Sequence, residues 1–184
     1  MGKEDSISSR CVHEIIIPSD SAWRKVREDI LYIENYHFGE TAFSEDVFIA
    51  AFLNPDALIV VIRDPITDKV VGFTYAEPVN QAYGDEFHPE REKSADTAYI
   101  QDTAIHPDYI GHHLVAPMLQ TLEAQLIKDG YEFLERDAAV KNNYAANIAK
   151  AYQGRIISTH PHTSRWGDQV FFRIKFNRGG YFYC

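Results

Sequence analysis

Glycine is scarce in this 184-residue chain, with ten, and cysteine and methionine occur twice each. Cys11 and Cys184 lie near opposite ends, so no disulfide framework is expected and a reducing cytoplasm is the expected setting. Long apolar runs are missing too. Ala57 to Ile62 is among the longest, far short of the about 20 residues that span a membrane, and no membrane partner is expected. The opening Met1–Ser6 has no apolar core and does not read as a secretory signal. Residues 1–11 and 178–184 read as polar tails. Basic residues are few: 18 Lys or Arg face 27 Asp or Glu, a formal charge of −9. That balance argues against a general nucleic-acid binder. Neither the His106, His112, His113 group nor the His160-Pro161-His162 run has a nearby Cys, and no helical His-x-x-x-His pair occurs, so no metal is expected.

What is present reads as one globular domain over residues 1–184, since apolar residues make up 45% and charged residues 24%. Val12–Ile17 is β-branched and reads as a strand ended by Pro18. Ser19 or Ser21 caps a helix to about Tyr36, with Trp23, Val26, Ile30 and Ile33 at helical spacing. Ser44 caps a second helix that Asn54-Pro55 stops. Ala57–Arg63 and Lys69–Val79 form a hairpin about Asp64–Asp68. Residues 80–96 read as a long surface loop and Thr97–Ile105 as a strand. A helix follows from about Leu114 to Asp129, with Pro117 in its first turn and Gly130 as its cap. Phe133–Val140 is a strand and Asn143–Tyr152 a short Ala-rich helix. Arg155–Thr159 and Gln169–Phe176 are the last strands, joined by a long loop. The order β-α-α-β-β-β-α-β-α-β-β predicts an α/β fold, a central mixed sheet of about seven strands with about four helices on its faces.

The most informative segment is Asp102-Thr103-Ala104-Ile105-His106-Pro107-Asp108-Tyr109-Ile110-Gly111-His112-His113-Leu114. A strand enters a Pro-containing turn and a helix follows. The first amides of a helix make an anion site whatever the side chains. This run, in this order of elements, resembles the GCN5-related N-acetyltransferases. That family's signature reads approximately Val-x-Pro-x-Tyr-Arg-Gly-x-Gly-x-Gly/Ala. A second family segment is similar to Val140, Asn143, Ala146, Tyr152 and Gly154, and the resemblance spans roughly Val12 to Phe176.

The resemblance implies acetyl-CoA, or another acyl-CoA, as cosubstrate, held between two splayed parallel strands. Backbone groups of Thr103, Ala104, Ile105 and His106 would pair with the pantetheine arm. Amides of Ile110, Gly111, His112, His113, Leu114 and Val115 would cradle the pyrophosphate, and Asn143 opens the second segment of the cofactor site. The acyl group would pass directly to an amine, with Tyr152 protonating the departing thiolate. A phenol with pKa about 10 can donate at neutral pH. Asp102 is the first candidate for the base and Glu77 the second.

Departures from the pattern are part of the reading. Ile110 replaces the Arg or Gln, and His113 and Val115 stand at small-residue positions, where glycine allows close backbone approach to phosphate. No Lys or Arg occurs in the 34 residues from Ser94 to Ile127, which hold Asp96, Asp102, Asp108 and Glu123. Histidines 112 and 113 can donate hydrogen bonds instead. Residues 128–184 carry nine basic and five acidic side chains, a balance of +4. Three functions therefore stay open: an acetyltransferase, a relative using a longer acyl chain or a carrier-protein donor, and a non-catalytic acyl-CoA-binding module. The acceptor is expected to be a small-molecule or peptide amine. Tyr83, Asp85, Glu86, Trp166 and the His160/His162 segment are candidates for its site. The aromatic C-terminal stretch offers an edge for a homodimer.

Overall fold

The computed structural model describes residues 7–82 and 94–177. Tyr83, Asp85, Glu86 and the 178–184 tail lie outside the described residues. The elements are α1 (Ile7–Arg10), β1 (Val12–Ile16), α2 (Asp20–Phe38), α3 (Glu45–Leu53), β2 (Leu58–Asp64), β3 (Lys69–Pro78), β4 (Thr97–Ile105), α4 (Val115–Lys128), β5 (Phe133–Ala139), α5 (Tyr144–Ala151), β6 (Ile156–Ser164) and β7 (Gly167–Lys175). The seven strands are hydrogen-bonded in the order β1-β2-β3-β4-β5-β7-β6. The pairing is mixed, as expected: β4–β5 is parallel, while β1–β2, β5–β7 and β6–β7 are antiparallel.

Two compact units can be described. The first is Met1–Tyr75 with Asp102–Leu122. Its core is the apolar stripe of α2, Trp23, Val26, Ile30 and Ile33, together with Phe48 and Phe52 of α3. The ring of Trp23 stacks on Phe48 at 5.9 Å, and Phe48 meets Phe73 edge-on at 5.8 Å. Such aromatic pairs add about 1 kcal/mol beyond their area. Ser19 caps α2 by accepting the Ala22 amide. Ser44 stands at the start of α3 without a side-chain cap bond.

The second unit is Ala76–Gln101 with Glu123–Cys184. Here β4 runs parallel to β5 over Thr97–Ile100 and Phe133–Arg136, and the registered pairs end at Ile100 and Arg136. On its other side β5 pairs along its whole length with β7. Opposed residues in this register share a face. Leu134, Arg136, Ala138, Phe172 and Ile174 lie on one side, and Glu135, Asp137, Phe171 and Arg173 on the other.

Two expectations are corrected. The residues expected to form a long loop between the last strands are strand: β6 runs on through His160-Pro161-His162 to Ser164, and only Arg165 and Trp166 separate it from β7. The segment is polar because β6 is an edge strand with a largely exposed surface, and an edge strand tolerates proline. The second concerns residues 1–11, read as a polar tail, of which residues 7–11 are described. Ile7–Arg10 is a helical turn, and Arg10 pairs with buried Asp64 at 2.8 Å.

Candidate active site

In the first unit, the end of β4 and the turn after it are tied down by side chains. Thr74 donates to the Asp102 carbonyl at 2.8 Å, and its hydroxyl lies 2.9 Å from that of Thr103. Oδ1 of Asp102 accepts the Thr103 amide at 2.6 Å. Ala104 and Ile105 are buried. The Ile105 carbonyl accepts Nε2–H of His37 at 2.6 Å, and the His106 amide donates to Val71 at 2.8 Å. The His106 ring stacks on Tyr32 and meets Tyr109 edge-on.

Pro107–Tyr109 forms one 3-10 turn, with Pro107 pre-set for its start. The Tyr109 hydroxyl donates to Asp64 Oδ2 at 2.6 Å, beside Arg10. These hydrogen bonds, Tyr109's first, hold the Asp64 carboxyl below the usual carboxylate range. Tyr109 thus anchors the turn that leads to the helix.

The loop before α4 has the backbone of a glycine loop without its composition. Gly111 has φ 86° and His113 has φ 57°. A non-glycine residue in the left-handed region is uncommon. Ile110 and His112 spend their amides within the turn, on the Pro107 and Tyr109 carbonyls at 3.3 and 3.4 Å. Leu114 is buried and His113 exposed. From Val115, α4 runs fourteen residues with no acid in its first turn, so its positive end is left for an anion.

In the second unit the structure gathers side chains that are far apart in sequence. Tyr152, at the C-terminal cap of α5, is fully buried. Its hydroxyl donates to Glu123 Oε1 on α4. Arg155 Nη1 reaches Glu123 Oε2 at 3.3 Å, and its guanidinium lies 4.7 Å over the Tyr152 ring. Burial raises the Glu123 carboxyl to about 7, although the Tyr152 hydrogen bond and the Arg155 and Arg136 charges pull the other way. Burial and the Glu123 charge push the Tyr152 phenol well above its ordinary value. Arg136 of β5 is 2% exposed and donates to the Tyr144 hydroxyl at 2.5 Å. Its Nε and Nη1 have no hydrogen-bond partner among the described residues.

Asn143 sits at φ 60° before α5 and is exposed. Glu77 accepts Gln101 Nε2 at 2.9 Å. On the other face of β5, Asp137 accepts the Tyr99 hydroxyl at 2.5 Å and pairs with His162 Nε2 at 2.7 Å. Among the described residues no three His, Cys, Asp or Glu side chains are grouped as metal ligands would be.

Tyr152 was singled out by motif. Glu123 and Arg136 were not, yet each left a signal. Glu123 interrupts the apolar stripe of α4 between Leu119 and Leu126, and Arg136 stands between Leu134 and Ala138 on the core face of β5. A charged residue at a core position is the informative exception.

Comparison with known proteins bears on this arrangement. No curated protein sequence matches the chain significantly. Solved structures do. The ribosomal-protein-S18-alanine N-acetyltransferase of Escherichia coli superposes with a TM-score of 0.62 at 16% identity, covering 92% of this chain and 97% of that one. YncA of Salmonella typhimurium, solved with its cofactor acetyl-CoA, gives 0.62 at 13%, covering 92% and 96%. Ard1 of Thermoplasma volcanium gives 0.65 at 11%, covering 92% and 99%. At these identities the likeness shows the fold. The family model described as Acetyltransferase (GNAT) family matches residues 23–154, which include the Pro107–Tyr109 turn, the loop before α4 and Tyr152, and the chain belongs to that family.

Proposed function

We propose that this chain is a single-domain, acyl-CoA-dependent N-acyltransferase that passes an acetyl group directly to a primary amine of a small molecule or peptide. The observation that carries the reading is the segment before α4. It takes a glycine-type path at Gly111 and His113 and opens a long helix with no acid in its first turn. Such a backbone suits the pyrophosphate of coenzyme A without basic side chains. Amides of Gly111, His113, Leu114 and Val115 would hold the phosphates, since those of Ile110 and His112 are spent within the turn, and Thr103 to His106 would align the pantetheine arm. The unsatisfied guanidinium edges of Arg136 support a polar ligand in the second unit, since buried donors without acceptors are costly.

Acyl-CoA supplies an activated thioester. The amine nitrogen attacks its carbonyl carbon, the C–S bond breaks and the thiolate leaves. Tyr152 gives the thiolate its proton, and Glu123, close to half-protonated near neutral pH, refills the phenol. Asp102 is the first candidate for the base that takes the acceptor's proton and Glu77 the second.

Calorimetric titration with acetyl-CoA and with desulfo-CoA tests the reading, and saturable binding of both is expected. Absence of binding at millimolar ligand rejects it. Tyr152→Phe should then lower kcat by about tenfold to a hundredfold with little change in donor affinity. Equal loss of both, or no loss, removes Tyr152 as the acid.

A further inference from the structure

We propose that Arg10, acting through Asp64 on Tyr109, is a positioning residue that sets the affinity for the acyl-CoA donor. The inference rests on the acyltransferase reading, in which the segment before α4 holds the phosphates. It adds the element that keeps that segment on its binding path.

Three parts of the first unit meet at Asp64. This residue ends β2, and its neighbour Arg63 stands opposite Val12 of β1. Its carbonyl accepts the Asp68 amide at 2.8 Å and its Oδ1 the Ile66 amide at 2.9 Å, so the hairpin after β2 fixes the direction of the carboxylate. Oδ2 takes two donors. The Tyr109 hydroxyl reaches it at 2.6 Å from the turn after β4, and Arg10 Nη2 reaches it at 2.8 Å from the N-terminal helical turn. That turn is closed by the Cys11 amide on the Ile7 carbonyl at 3.2 Å. The Asp64 side chain is fully buried while Arg10 is 32% exposed. A buried carboxylate needs its charge met, and among the described residues Arg10 is the cation hydrogen-bonded to it.

Tyr109 carries this anchorage into the loop. Its amide donates to the His106 carbonyl at 2.9 Å, and its own carbonyl accepts the His112 amide at 3.4 Å. Beyond it the chain is left-handed at Gly111 and again at His113. A non-glycine residue stays in that region only where its surroundings hold it. Here the loop is held at one end by Leu114, which is buried, and at the other by the Tyr109 hydroxyl on its carboxylate. Without Arg10, Asp64 is a buried charge without a cation. It takes up a proton or draws in water, and either change weakens the hydrogen bond it gives the phenol. The amides of Gly111, His113, Leu114 and Val115 then spend less time aimed at one anion. A loop on its binding path a tenth of the time binds about tenfold more weakly.

Loss of a positive charge is a separate effect with its own control. Arg24 pairs with Asp20 on α2, and both side chains are mostly exposed. Arg24→Ala removes the same charge as Arg10→Ala and leaves Asp64 untouched.

The test is calorimetric titration of the full chain with acetyl-CoA, with amide hydrogen exchange of the ligand-free protein as the second measurement. Arg10→Ala should raise Kd about tenfold. It should speed exchange in residues 110–115 and leave the core of α2, Trp23 to Ile33, unchanged. Tyr109→Phe should give the same loss, and the double variant no more than the larger single loss, because both act through one contact. Arg10→Lys, which keeps the charge, should recover most of the affinity, and Arg24→Ala should bind as wild type does. Arg10→Met serves the same comparison if the alanine variant does not fold. Unchanged Kd in Arg10→Ala, an equal loss in Arg24→Ala, additive losses in the double variant, no recovery with lysine, or exchange raised throughout the chain overturns the assignment alone. A loss in Arg10→Ala without one in Tyr109→Phe also overturns it, since Arg10 would then touch phosphate directly. A wild type that binds no acetyl-CoA overturns the acyltransferase reading and this inference with it.

Discussion

Glu123 lies buried beside a phenol and two guanidinium groups, and its position makes a pH prediction at the residue scale. Its carboxyl is raised from 4.5 to about 7 in the folded chain, mainly by burial. Between these values the unfolded chain has lost the proton while the folded chain keeps it. This group alone therefore weakens folding as pH rises through that window, by about 3 kcal/mol when complete. Glu123→Gln should gain stability relative to wild type from about pH 4.5 to about pH 7, read by urea unfolding at both ends. A difference that does not change with pH would show that the carboxyl titrates normally. Arg136 behaves differently from an ordinary buried cation. Losing one partner of a buried pair costs about 3–5 kcal/mol. Because two guanidinium edges are unmet here, Arg136→Leu should cost less than about 1 kcal/mol and weaken acetyl-CoA binding. A large loss of stability with unchanged binding would reject the ligand role. Tyr152 was readable from its motif. Its hydrogen-bond partner was not, because Glu123 lies 29 residues away on α4 and meets it only in the folded chain.

At the scale of elements, the entry to α4 shows how composition and conformation part. Low glycine predicted a loop poorly suited to phosphate, yet the backbone at His113 is left-handed all the same. Tertiary anchoring holds it there: Tyr109 is bound to Asp64, and Leu114 is buried. Gly111→Ala should cost about 1–2 kcal/mol, because nothing lies near an added Cβ and only the backbone conformation resists it. His113→Gly should change stability by less than about 1 kcal/mol, the relieved strain offsetting the added chain entropy, and should tighten acetyl-CoA binding if the ring obstructs the phosphate. Weaker binding in calorimetry would assign the imidazole to a phosphate oxygen. Strand β4 was legible to its ends, as was the Pro107 turn. Strand β6 was not, because an exposed edge strand carries no apolar alternation, and Pro161 reads as a breaker until its place in the sheet is known.

For the whole molecule, charge was the earliest signal. Residues 1–127 hold nine basic and 22 acidic side chains, a balance of −13, against +4 for the remainder. That count treats every carboxylate alike. Folding does not: Asp64, Glu123 and Glu135 are buried against guanidinium groups and add little to the outward field. Acetyl-CoA at about a hundred times its dissociation constant should stabilise the chain by about 2.7 kcal/mol, a rise in Tm of roughly 5–10 °C. A thermal scan with no shift at that concentration would contradict the proposed donor. No helix among the described residues is long and apolar enough to cross a membrane. The sequence by itself determined the order of elements, the mixed α/β class, the strand–turn–helix at Thr97–Lys128 and the family, because periodicity and turn residues act over a few positions. Only the tertiary structure decided which charges are buried, that Glu123 accepts the Tyr152 hydroxyl, and that Tyr99, Asp137 and His162 form one chain of hydrogen bonds. Those contacts join residues 25 to 38 positions apart, and their strength comes from burial and strand register, which no local pattern encodes.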